Sequence, residues 1–249
     1  MTMTKKVALF VEGKSELIFV KHLLQEISRY SRIKIDCFKI LTDNNLINED
    51  YPYCSPPVKV EILLVEVGGD RKVASAIKDR ANGLFSRGFR KIWGLRDMYS
   101  EAYDRQSNGK IDKAVTDKEI ASINSIFKNI DLSGGVRMFF SVMELEAWFL
   151  GFYNVLDRIG LPTSKINKLI QEDITKIDPE VKFFKPKRVL SSLCKSIWNK
   201  NYDEIDFAFK ISNKINLDDI RCLARSKKVS HFRTFYSNLV KQLNIARYK

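Results

Sequence analysis

The feature that most constrains this chain is an alternation. Over residues 6–156, short apolar runs take turns with longer segments whose apolar residues recur every three or four positions. "KVALFV" (6–11) reads as a strand. Segment 15–30 follows with Leu17, Val20, Leu24 and Ile27 on one helical face, and Ser15 is the expected N-cap. "RIKIDCFKI" (32–40) alternates as a half-buried strand does, 42–57 has the Asn, Asp and Pro content of a loop, and 58–67 is a strand closed by Gly68-Gly69. Helix 71–88, strand 90–95, a polar loop, helix 117–130, strand 136–142 and helix 144–156 continue the pattern. Strands alternating with helices predict βαβ units: an α/β, Rossmann-like domain whose mainly parallel sheet is flanked by helices.

After Gly160-Leu161-Pro162 the strand signals stop, and the remaining segments have helical periodicity. Pro186 suits a first helical turn, and Asp218-Asp219 suits a helix N-terminus. The expected organisation is an α/β domain over 1–156 and a C-terminal helical appendage over 157–249. Charge divides in the same place. Of the net +13, residues 156–249 carry 20 Lys/Arg against 10 Asp/Glu, while residues 1–155 carry 23 against 20. A basic segment joined to a near-neutral one points to a polyanion partner, most often nucleic acid, DNA or RNA. A solvated lysine-rich face gives the same count. Lys185, Lys187 and Arg188 form one local cluster, and Arg225, Lys227 and Lys228 another. Phe183, Phe184 and Phe232 lie beside them, either to stack on unpaired bases or to fill a core.

Several classes are excluded. No apolar run approaches the roughly 18 residues of a membrane span, so no membrane partner is expected. The N-terminal "MTMTKK" lacks the apolar stretch of a signal peptide, which makes a cytoplasmic location the expectation. The four cysteines and two histidines stand apart, which argues against structural zinc and a disulfide framework. There is no Walker motif, so ATP hydrolysis by the chain alone is not expected.

The carboxylates at strand ends carry the chemistry. In a parallel sheet ligands bind beyond the carboxyl ends of the strands. Glu12 follows the first strand, Asp97 the strand at 90–95, and Glu144 and Glu146 the strand at 136–142. Carboxylates converging on one rim repel unless a divalent cation lies between them, and Mg²⁺ (or Mn²⁺) favours such oxygen ligands together with substrate phosphates. Each residue also has a plainer reading. Glu12 and Glu16 suit the dipole at a helix start, and Asp97 suits a turn cap. Glu144 and Glu146 fit a first helical turn, where i, i+2 spacing turns only one of them toward a metal. Gly68-Gly69-Asp70 reads as a phosphate-binding loop or as a simple turn, and Trp148 and Phe149 as core.

These stretches resemble a known family. "LFVEGKSE" is similar to the first motif of Toprim domains, the phosphotransfer fold shared by topoisomerases, primases and nucleases of the overcoming-lysogenization-defect type. More narrowly, "VEGKSE", "VGGDRK", "GLRDMY" and "MELEAWFL" resemble a group of prokaryotic Toprim-like proteins often encoded beside ATPases and linked to phage defence. The motifs span 6–155, with a weaker likeness over 178–240. The resemblance implies that Glu12 acts as general acid or base or as a metal ligand, and that Asp97 binds Mg²⁺. Glu16 is a further ligand or supports one. Where Toprim domains carry Asp-x-Asp, this chain has Leu95-Arg96-Asp97. Either Glu144 or Glu146 supplies the lost ligand, or the site is weakened. The expected function is metal-dependent phosphodiester hydrolysis on nucleic acid; the alternative is a non-catalytic scaffold that binds nucleic acid or an ATPase.

Overall fold

The apolar runs form the strands of one sheet, and the periodic segments form helices. The structure, a computed structural model, describes residues 4–43, 45–49, 52–69, 72–128, 130 and 135–243. Through the first part of the chain come β1 (Lys5–Val11), α1 (Lys14–Ile27), β2 (Ile33–Ile40), β3 (Leu46–Asn48), β4 (Tyr53–Cys54) and β5 (Val60–Glu66). Then follow α2 (Lys72–Ser86), β6 (Lys91–Asp97), α3 (Glu101–Ser107), α4 (Lys113–Ile126) and β7 (Val136–Ser141). The sheet order is β3-β2-β5-β1-β6-β7, with β4 also on β2. β1 is parallel to β5 and β6, β2 is parallel to β5, and β3 and β4 run antiparallel to β2. The expected α/β architecture, a mostly parallel sheet flanked by helices, is present.

The chain divides into two compact units: 1–96, 116–140 and 239–249 form one, and 97–115 with 141–238 form the other. In this division the helix-rich segments before and after β7 belong together. In the first unit the core is the sheet itself. Val7 to Val11 are buried to within 1% of full burial, because β1 is a central strand with neighbours on both sides. α1 packs on β1, β2 and β5, and α2 on β1.

Three local expectations are corrected. The N-cap of α1 lies two residues before Ser15: it is Gly13, whose N–H donates to the Glu16 carboxylate at 3.0 Å. The segment 42–57 is not all loop, since β3 and β4 pair with β2 within it. The polar stretch before α4 holds a further helix, α3, started by Ser100, whose hydroxyl accepts the Tyr103 N–H at 3.1 Å.

The second unit is helical. Its elements include α3, α5 (Glu146–Gly151), α6 (Tyr153–Arg158), α7 (Thr163–Ile170), α8 (Pro179–Lys182) and α9 (Pro186–Leu193), which runs into a π-helical turn at Cys194–Trp198. α10 (Glu204–Ser212), α11 (Leu217–Arg225) and the start of α12 (Ser230–Leu243) complete it. Trp148 and Phe149 are core residues, as expected. Trp148 stacks on Phe235 at 5.9 Å between ring centroids and meets Phe232 edge-on at 5.3 Å. Phe232 and Phe183 are buried too, so neither is available to a nucleic-acid base.

Candidate nucleic-acid interface

The first unit places Glu12 directly after β1, in the part of the sheet where ligands bind in folds of this class. β1 connects onward toward β2 and its neighbour β6 toward β7, so the chain leaves these adjacent strands in opposite directions. Such a switch point opens a crevice at the carboxyl ends. The Gly68 and Gly69 N–H groups both donate to the Glu12 carbonyl, at 3.0 and 3.1 Å. Those amides shape the turn around Glu12 and are not turned toward a phosphate. The turn reading of this stretch is the one the geometry supports, while Asp70 lies outside the described residues. Glu16 is buried and spends a carboxylate oxygen on the Gly13 N–H.

The second unit gathers the other candidate carboxylates and one of the two basic clusters. Asp97, the last residue of β6, accepts the Ser141 hydroxyl at 2.5 Å. The Met98 N–H then donates to the Ser141 carbonyl at 2.9 Å and the Tyr99 N–H to the Met143 carbonyl at 2.8 Å. This short ladder fixes the chain leading into Glu144. Glu144 precedes α5 rather than lying in its first turn, and its Oε2 accepts the Lys187 N–H at 3.0 Å. Since Lys185 is the N-cap of α9 and Pro186 opens its first turn, Glu144 satisfies one of the N–H groups the helix start leaves open. Burial holds the Glu144 carboxyl above the ordinary carboxylate range, against the pull of that N–H and of Lys187. Glu146, buried in the first turn of α5, accepts the Tyr202 hydroxyl at 2.9 Å. Burial and the neighbouring Glu146 carboxylate push the Tyr202 phenol upward, so it stays a proton donor.

Around these groups lies a pocket of about 330 Å³ lined by Tyr99, Lys185, Lys187, Arg188, Ser191 and Tyr202. The Lys185 ammonium is 3.3 Å from Asp104 and stands over the Tyr99 and Phe184 rings, 5.5 and 5.6 Å from their centroids. Lys187 pairs with Glu204. Arg188 is exposed and has no ion-pair partner among the described residues. The pocket thus presents three cations, one uncompensated, with two phenols and a serine, an arrangement suited to a phosphate group.

The second basic cluster lies elsewhere in this unit. Arg225 ends α11, and the Lys228 ammonium donates to the Thr175 carbonyl beside a smaller apolar pocket containing Cys222 and Leu223. Reading the sequence alone missed Tyr99, Tyr202, Ser191 and Asp104. Only Tyr99 carried a signal, its place two residues after Asp97.

Mg²⁺ needs hard oxygen donors, which Asp97, Glu144 and Glu146 offer within the second unit. Each already accepts a hydrogen bond from a protein donor, and among the described residues no group of three or more His, Cys, Asp or Glu side chains stands close enough to cage an ion. The donor set fits an ion held by one or two carboxylates and completed by phosphate oxygens, not a closed protein site. Among the described residues no helix is long and apolar enough to cross a membrane. In comparisons with known proteins, no family model, curated protein or solved structure matches the chain.

Proposed function

We propose that the protein binds nucleic acid through the pocket of its second unit and hydrolyses the phosphodiester backbone with the help of a divalent cation. The observation that supports this reading is the pocket formed by Lys185, Lys187 and Arg188, with Glu144 and Glu146 hydrogen-bonded into its surroundings. Arg188 is placed to take two oxygens of a phosphate in its planar fork, while Lys185 and Lys187 add charge that their carboxylate partners already orient. Glu144, raised by burial, is suited to hold and release a proton nearer neutrality than an exposed carboxylate would. Bound Mg²⁺ or Mn²⁺ would supply polarisation of a phosphoryl oxygen and a more acidic water. A cytoplasmic role in phage defence, beside an ATPase partner, fits the Toprim-like motifs.

A second reading is a scaffold that binds nucleic acid or an ATPase without cleaving. The structural use already made of Asp97, Glu144 and Glu146 favours it. Labelled DNA and RNA incubated with Mg²⁺, Mn²⁺ or EDTA separate the two. The nuclease reading expects cleavage that EDTA abolishes and that Glu144→Gln lowers by roughly two orders of magnitude. Binding without cleavage selects the scaffold. Failure to bind either nucleic acid overturns both nucleic-acid readings.

A further inference from the structure

The pocket is concave, and two of its cations are half-recessed beside their acidic partners: the Lys185 side chain is 30% exposed and that of Lys187 44%. A stiff duplex presents its phosphates on a convex outer surface and keeps its bases stacked inside, so it meets projecting lysines on an open face more readily than recessed ones. An unpaired nucleotide differs in two respects: its base has an open π-face, and its backbone bends. Volumes of a few hundred Å³ are the range that encloses one small molecule, and about 330 Å³ is of that order.

The walls match the two halves of a nucleotide. Tyr99 is fixed by its own N–H bond to the Met143 carbonyl, by an edge-on contact with Phe184 at 5.8 Å between centroids, and by the Lys185 ammonium over its ring. Tyr202 is fixed by its hydroxyl on Glu146. The Tyr202 ring also packs against Phe207 at 5.2 Å between centroids, so Tyr99, half-buried at the pocket wall, is the stacking platform, its ordering cost already met within the fold. Arg188 is the uncompensated charge for the phosphate.

We propose that this pocket receives one unpaired nucleotide, so that the protein takes single-stranded nucleic acid in preference to duplex. The proposal rests on the nucleic-acid reading given above and adds the strand state of the ligand. The test uses the full chain in EDTA, with fluorescence anisotropy on a labelled single strand, the matching blunt duplex, and the duplex carrying a short single-stranded overhang. The single strand and the overhang should bind roughly ten-fold tighter than the blunt duplex, within the range for stacking one base on an aromatic ring. Tyr99→Ala should weaken binding of the single strand and the overhang far more than binding of the duplex, and so remove most of that preference. Tyr99→Phe, which keeps the ring and guards against a folding defect in the alanine variant, should bind as the wild type does. Equal binding of strand and duplex overturns this inference and leaves the nucleic-acid reading standing. Competition by poly-glutamate as strong as by the single strand would show a general polyanion site and also overturn it. Binding of no nucleic acid at all overturns both.

Discussion

In the first unit, Glu66 ends a central strand with one carboxylate oxygen 3.3 Å from the Lys39 ammonium and the other buried with no hydrogen-bond partner among the described residues. In the second unit, Glu180 is as deeply buried, but the Trp148 indole N–H reaches its Oε1 at 2.7 Å and the backbone N–H of Phe232 at 3.2 Å, and the His231 N–H reaches Oε2 at 3.0 Å. Asp178, two residues earlier, accepts the Glu180 and Val229 N–H groups at 3.0 and 3.1 Å. The sheet unit holds itself together by strand pairing and apolar packing, and its buried charge is incidental to that. The helical unit has short elements with little pairing between them, so a buried carboxylate network ties the start of α12 to α8 and α5. Polar groups in the two cores therefore differ in what removing them does.

The largest expected effect follows from Glu180. Glu180→Ala leaves one indole and two backbone donors buried without an acceptor, which costs about 3–5 kcal/mol, the scale for breaking a buried charged network. Urea unfolding followed by circular dichroism measures it. The same residue makes stability depend on pH. Burial outweighs the N–H donors and pushes the Glu180 carboxyl up from 4.5 to about 7. The native state thus holds a proton that the unfolded state releases. The associated stability is fully present below pH 4.5 and is lost as pH rises through about 7, by roughly 3 kcal/mol in all. Glu180→Gln should flatten that slope. A variant with the wild-type slope would mean that other groups govern it, and the contrast between the units would lose its main support.

Why Glu180 escapes a sequence reading is instructive. Pro179-Glu180 looks like any helix start, and nothing marks a carboxylate whose partner backbone lies about fifty residues further on. β1, α1, β5 and β7 were legible because burial on a sheet or one helix face writes a period into the local sequence. β3 and β4 were not, because two- and three-residue edge strands among Asn, Asp and Pro carry no period. Lys185, Lys187 and Arg188 were legible as a cluster because they are neighbours in the chain. Tyr202 was not, because only the fold brings it to them. Asp97, Glu144 and Glu146 stood out as acids at strand ends, but their engagement with Ser141, Lys187 and Tyr202 is a property of packing and leaves no local trace.

A middle-sized effect tests the apolar side of the comparison. Gly94, in β6, faces Met138 and Val73 so closely that an added Cβ would lie 2.8 Å from the Val73 Cγ1 and the Met138 Cε, and would overlap the Met138 sulfur. The methionine end can swing away, but Val73 is buried and branched, so the sheet and α2 must separate slightly. Gly94→Ala should cost roughly 1–3 kcal/mol, the range for overpacking a filled core. Thermal unfolding with and without Met138→Ala distinguishes the cause. Relief of the loss in the double variant places it at Met138, and no relief places it at Val73. A neutral Gly94→Ala would show that the sheet core has slack, and that strand pairing alone sustains the first unit.

The smallest expected effect is the sharpest comparison, because it applies to the buried carboxylate of the sheet unit the same Glu-to-Gln change used on Glu180. Glu66→Gln keeps the shape and removes the charge. It gives up an ion pair with Lys39, whose side chain is 40% exposed, and such pairs contribute between nothing and about 1 kcal/mol. In exchange it removes the burden of burying a carboxylate whose second oxygen meets no donor among the described residues, a burden that often equals or exceeds the gain from the pair. The two terms oppose each other, so the variant should unfold within about 1 kcal/mol of the wild type, with the sign favouring glutamine at high salt, where the Lys39 attraction is screened. Urea midpoints at low and high salt read this directly. A loss on the scale of Glu180→Ala would mean that the sheet unit depends on its buried carboxylate as the helical unit does, and the distinction between the two cores would fail.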